Sequence, residues 1–273
     1  SDVVMDAAFL IKKFERIGAR LKVLDRPRRT IRATSSILML DIGSDRRGEY
    51  FEITARPDAD PMVEILDVQP SDRHLLLLVR DDGAKNKYLC GHDERHWFVA
   101  GIPEVAPVGT VRQAMEALQP VEVRTAVARK GVSGKSRNGR RNAAFLRQGE
   151  WFFLPMPTMV IAEALILQNE AIRRGNGGKP HWAEFCYRTG GETVHVCGRY
   201  PNGVTESQFR SILLSEVAAK KWNWNTMRRN PGVYVRGRIR HPDHATISLQ
   251  GWHQVLMNTE SESRAMRNVA FLD

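Results

Sequence analysis

The sequence predicts an α+β fold that is mostly antiparallel β-sheet, with about ten strands and about four helices. Three observations lead there. Short apolar or alternating runs of strand length recur along the whole chain. Helical periodicity is confined to a few windows, two of which open on a Thr-x-x-Gln cap. Strands and helices do not alternate regularly, which argues against a doubly wound parallel sheet.

Residues 3–23 carry apolar side chains at Ala7, Leu10, Ile11, Phe14, Ile17 and Leu21, one stripe of a helix that Pro27 and its arginines end. Residues 36–42, 50–55 and 62–68 read as strands. The run at 75–79 reads as a strand buried on both faces. Residues 87–90 and 96–102 read as a hairpin closed by Gly-His-Asp-Glu-Arg. Thr110, with Gln113 three residues on, opens a helix that Pro120 stops. Residues 121–128 alternate and read as a strand, as does the aromatic run 150–154. A helix is expected over 158–173, ended by Gly175, and a strand over 194–199. Thr205 and Gln208 open the best helix, 205–221. Three strands follow at 233–240, 245–249 and 252–257, and a short helix after Thr259. The segments RHWFVAGIP and GEWFFLPMP share an aromatic pair before proline, too little to establish a repeat.

The chain has 273 residues, of which 42% are hydrophobic and 26% charged, so it can bury a core. It reads as one large domain, residues 1–273, or as two halves, 1–128 and 143–273, joined by a basic loop at 129–142. No run reaches the roughly 18 apolar residues of a membrane helix, and no signal-peptide pattern opens the chain. Three cysteines fit a reducing, cytoplasmic compartment and exclude a disulfide scaffold.

The net charge is +10. That balance points to a polyanionic partner, nucleic acid first. Its densest stretch holds Arg129, Lys130, Lys135, Arg137, Arg140 and Arg141 without an acid, among glycines and serines, and reads as a mobile loop that orders on phosphates. Its GVSGKS lacks the leading glycine, strand and helix of a phosphate-binding loop. In 233–240, alternation sets Tyr234, Arg236, Arg238 and Arg240 on one face and Val233, Val235 and Ile239 on the other. Arginines about 7 Å apart match the phosphate spacing of an extended single strand, and Tyr234 can stack on bases.

That row ends in His-Pro-Asp-His. His241, Asp243 and His244, with His253 on the adjoining strand, are the candidate catalytic residues, as acids and bases or as holders of a divalent metal such as zinc or magnesium. Other ligand candidates are Cys90, His92 and His96 in one hairpin, and His195 and Cys197 on one strand face. The first set lacks the paired spacing of strong zinc motifs. Trp222 and Trp224 read as core anchors or a stacking platform. The leading expectation is a nucleic-acid-binding protein for single-stranded RNA or DNA, and a nuclease if it is an enzyme. The rivals are a non-catalytic interaction subunit of a larger nucleoprotein complex and a structural zinc-stabilised domain.

Overall fold

A computed structural model describes residues 6–24, 38–55, 61–81, 83–104, 107–174 and 178–263. The predicted class holds: the described residues form four sheets, every strand pair in them antiparallel but one, with four α-helices. They contain sixteen strands, more than expected. The extra ones are short and carry little periodicity. The chain divides after Gln119 into two compact units, so the basic segment 129–142 lies inside the second unit and does not join two halves.

The first unit opens with α1 (Ala7–Glu15), N-capped by Asp6, whose Oδ1 accepts from the Phe9 N–H. The predicted helix therefore ends early. Residues 21–24 instead form β1 (Leu21–Leu24), parallel to β3 (Gly48–Ala55), which also pairs with β2 (Leu38–Asp45). The expected helix start at residues 3–5, its stop at Pro27 and the first residues of the 36–42 strand lie outside the described residues. A four-stranded meander follows: β4 (Met62–Gln69), β5 (His74–Asp81), β6 (Ala84–Asp93) and β7 (His96–Ile102). β5 is buried on both faces, as its leucine run predicts. Leu75, Leu77 and Val79 join a core with Leu10, Phe14 and Phe51, while Leu76 faces Val111 and Ala114 of α2 (Val111–Leu118). The predicted cap of α2 is present, the Thr110 hydroxyl accepting from the Gln113 N–H at 3.1 Å.

The second unit begins with a difference. Residues 121–128 are helical, in α3 (Val121–Arg129), which follows Pro120. Its apparent alternation is real in the sequence, but the buried pair is Val123 and Val127, one helical turn apart. They pack on Phe145, Phe152 and Leu154. Residues 158–173 are not a helix. A 3-10 turn (Glu163–Leu165) leads into β10 (Leu167–Ile172), and Val160 and Leu165 are exposed, so these apolar residues never formed a buried stripe. The expected stop at Gly175 lies outside the described residues.

One six-stranded sheet dominates the unit. It comprises β10, β11 (His181–Thr189), β15 (Gly232–His241), β16 (His244–Met257), β9 (Trp151–Pro155) and β8 (Leu146–Gln148), in that order. Strand β16 runs through both predicted strands 245–249 and 252–257, with Gly251 at φ +74° between them. Trp151, Phe153, Ala183, Val233, Val235, Ile239, Leu249 and Val255 fill its core face. A second sheet orders β13 (Tyr200–Thr205), β12 (Glu192–Cys197) and β14 (Asn225–Arg229). After it, α4 (Glu206–Ser215) carries the predicted capping box of Thr205 and Gln208, worth about 1 kcal/mol. Trp222 and Trp224 are half-buried, and Trp224 stacks with Tyr200, meets Phe209 edge-on and donates its indole N–H to the Ala219 carbonyl. The chain after Thr259 forms a 3-10 turn (Thr259–Glu262), and the rest of the expected final helix lies outside the described residues. No helix among the described residues is long and apolar enough to cross a membrane.

Candidate catalytic centre

The six-stranded sheet brings three histidines together. Trp182 of β11 sits opposite Arg240 of β15, so the preceding His181 and the following His241 are cross-strand neighbours on the other face. His241 in turn pairs with His244 across the β15–β16 turn. The ring centroids lie 4.2 Å apart for His181 and His241, 4.8 Å for His241 and His244, and 5.7 Å for His181 and His244. One nitrogen from each ring lies within 4.8 Å of the other two. His181 is buried, 1% exposed, while His241 and His244 are half-buried.

The β8–β9 turn completes the site. Gln148 is fully buried, and its amide donates to the Ile239 carbonyl at 3.2 Å and the Ala245 carbonyl at 2.8 Å. Its Oε1 therefore faces His181 Nδ1, at 2.8 Å, and that nitrogen must carry the proton. His181 Nε2 is left for the site, 3.7 Å from Glu150 Oε2. Gly149, at φ +59°, lets the backbone approach the rings: a Cβ there would stand 2.9 Å from His244 Nε2. His241 directs Nε2 at the Lys179 carbonyl, 3.3 Å away, and its Nδ1 accepts the Asp243 N–H at 3.1 Å.

Burial opposes ionisation of Glu150, but the neighbouring His181 ring, aided by Arg174, outweighs it and holds the carboxyl at about 2. Burial, reinforced by the charges of His181 and His244, lowers the pKa of His241. Burial also lowers that of His253. Both have folded-state values below the unfolded 6.5, so unfolding takes up protons below that pH. Their contribution to stability is complete above the unfolded value and is lost as the pH falls toward the folded values. Relative to His253→Gln, the urea midpoint of the unmodified protein should therefore fall between about pH 7.5 and about pH 5.5, with Glu260, whose burial pushes its carboxyl up to about 7, acting alike in both. An equal slope in the variant would exclude His253 as a source.

The predicted site residues divide. His241 and His244 are in the centre. Asp243 is beside it, but both its carboxylate oxygens bind Lys179 Nζ, at 2.9 and 3.0 Å. His253 is elsewhere. It pairs with Val235 and Pro155, six residues along β15 from His241 and so about 20 Å away, with its Nδ1 on the Gly251 carbonyl.

The arginine row also differs from expectation. Val233, Val235 and Ile239 are buried as predicted, but Gly237 makes a bulge at φ +80° that breaks the even spacing. Arg236 lies over Phe185 and Trp252, Arg238 meets Glu184, Arg240 donates to Asn169, and Tyr234 stacks on Tyr187. The row occupies the face opposite the imidazoles.

The basic segment is a folded turn where a mobile loop was expected. It holds a 3-10 helix (Gly134–Asn138), and the Asn142 side chain binds the Ser136 carbonyl and the Ala144 and Phe145 N–H groups. Arg141 forms a backbone bridge with Leu146, and the Arg140 carbonyl accepts from the Arg147 N–H at 2.7 Å. Arg129, Lys130, Lys135, Arg140 and Arg141 are exposed and Arg137 is half-buried.

The expected cysteine–histidine ligand sets are not assembled. Among the described residues, the group of three that can converge on a metal is His181, His241 and His244. Cys90 is wholly buried in the first unit's core, where burial pushes its thiol up. His92 packs edge-on against Trp97, and His96 pairs with Glu49 at 3.3 Å. A bulge separates His195 from Cys197, and His195 is held by Glu206, Thr226 and a stacked Phe209. Sequence reasoning missed His181, Gln148, Gly149, Glu150 and Lys179. Their signal was spacing in the fold: β11 is bulged between Ala183 and Phe185, so its alternation is interrupted. Comparison with known families, characterised proteins and solved structures finds no match for the chain.

Proposed function

We propose that this protein binds single-stranded nucleic acid through its second unit and hydrolyses phosphodiester bonds at the three-histidine centre. One observation carries the reading. The basic segment folds back on β8, the strand that delivers Gln148 and Gly149 to the imidazoles. Cations that attract a polyanion thereby border a cluster of groups able to move protons. Arg140 sits opposite Arg147, next to Gln148, and Lys179 lies at the other rim. In the reaction, water adds across one P–O bond. Its oxygen bonds to phosphorus, the bond to the leaving oxygen breaks, and the proton that water loses is matched by one the leaving oxygen gains. The imidazoles and the ionised Glu150 are the groups placed to relay those protons.

The test is binding of labelled single-stranded RNA, single-stranded DNA and duplex DNA at two salt concentrations, with product length read on a gel. Salt-sensitive binding to single strands with shortened product is expected. Replacing Arg140 and Arg141 with alanine should flatten the plot of log affinity against log salt by about 1.4, at about 0.7 per phosphate contact to a single strand. An unchanged slope in the folded variant would remove the segment from the interface. Absence of binding at low salt would refute the reading, and binding without cleavage would leave a non-catalytic module.

A further inference from the structure

We propose that His181, His241 and His244 form a binding site for one divalent transition-metal ion of the zinc class, with Glu150 as a neighbouring oxygen donor. The proposal deepens the hydrolytic reading of the same centre and rests on it for the ion's use, not for its binding.

The donor chemistry selects the ion. Three imidazoles suit zinc and its borderline neighbours, whereas magnesium and calcium prefer oxygen ligands. The carboxylate of Asp243 is engaged by Lys179, leaving Glu150 as the oxygen donor near the rings. Two of the histidines also show the outer-shell arrangement of metal ligands, in which the other ring N–H is fixed by an acceptor. For His181 the acceptor is the Gln148 side chain, which leaves the Nε2 lone pair. For His241 it is the Lys179 carbonyl, which leaves Nδ1, now taking the Asp243 N–H that an ion would displace. Gly149 supplies room, because a side chain there would press on His244 Nε2.

Ligands of a tetrahedral zinc lie ~3.4 Å apart, from bonds of about 2.0–2.1 Å. One nitrogen from each ring lies within 4.8 Å of the other two. The half-buried rings of His241 and His244 can close that gap by rotation, while Gln148 holds His181 still. The three imidazoles leave a fourth position, for Glu150 or for water, and the water-bound form is the arrangement of catalytic rather than structural zinc. An ion there would act as a Lewis acid on a bound phosphate oxygen or on the attacking water.

The test uses the full chain without an affinity tag, stripped by chelator and dialysed. Zn²⁺ is titrated against a chromophoric competitor, and Co²⁺ is added separately to read its visible absorption. The expected result is about one ion per chain, a tetrahedral Co²⁺ spectrum, and a Zn²⁺-induced rise in melting temperature. Mg²⁺ should produce no such rise. His241→Ala and His244→Ala, each checked for folding by circular dichroism, should lose the Co²⁺ spectrum and the rise. Gln148→Leu should weaken Zn²⁺ binding by about 10–100-fold. Binding far below one ion per chain, or unchanged binding in the folded His241→Ala, His244→Ala double variant, would overturn the site. Cleavage by the stripped chain together with no Zn²⁺ binding would also overturn it while leaving the hydrolytic reading intact. One bound ion with no cleavage of any nucleic acid supports the site and sinks the hydrolytic reading.

Discussion

Gln148→Met should lower the stability of the protein by about 3 kcal/mol or more, a large fraction of what holds a domain of this size folded. The side chain is 0% exposed, and two of its hydrogen bonds meet buried groups, the Ile239 carbonyl and the His181 ring, while the third meets the carbonyl of the more exposed Ala245. Methionine matches its length and flexibility, so little cavity forms and the loss is polar. The Ile239 and Ala245 carbonyls and the His181 N–H are then left without this partner. Each buried polar group so stranded costs about 1–3 kcal/mol. Ile239 O and Ala245 O lie on either side of the β15–β16 turn, so the amide also clips that turn to β8. Urea denaturation with a two-state fit measures the effect. A loss below about 1 kcal/mol would show that the amide neither fixes the His181 tautomer nor anchors the turn. Gln148→Glu should be no rescue, since a carboxylate cannot donate to two carbonyls.

Gln148 also shows where sequence reasoning reaches and where it stops. Local signals with a chemical cause were legible. The Thr205–Gln208 box needs only four consecutive residues and formed as read. The leucine run of β5 and the aromatic run of β9 are buried on both faces because a continuous apolar stretch of strand length has no other stable place. Val123 and Val127 misled, because positions four apart satisfy period two and the helical period alike. Residues 158–173 misled because apolar character was read as burial, and Val160 is 90% exposed.

The centre was half legible. His241 and His244 stand out because they flank a Pro-Asp turn. His181 lies sixty residues earlier on a bulged strand, and Gln148 and Gly149 earlier still, so their convergence is a property of sheet order. The arginine row was half legible for a related reason. Alternation located its face correctly, but a glycine bulge and five intramolecular partners are tertiary facts.

His244→Ala and His253→Ala should therefore have opposite signatures, though the sequence places both in one site. His244 is half-buried at a turn, among the imidazoles, so its loss should reduce cleavage by about 10²–10⁴-fold, the usual contribution of a proton-transferring or ligating group. Stability should change little, because a half-exposed ring contributes little buried area. His253 is 4% exposed in β16 with its ring on the Gly251 carbonyl. Its removal opens a cavity and should cost about 1–3 kcal/mol. Cleavage per folded chain should nonetheless be retained, because sites more than about 10 Å apart act independently. Initial rates divided by the folded fraction from circular dichroism separate the two effects. Loss of normalised cleavage in His253→Ala, with His244→Ala still active, would mean that the chemistry lies along β16 and not at the imidazole cluster. The reverse pattern ties it to the place where β11, β15 and β16 meet the β8–β9 turn, the one point among the described residues at which buried hydrogen-bond order, a close glycine and three histidines stand against a cationic edge.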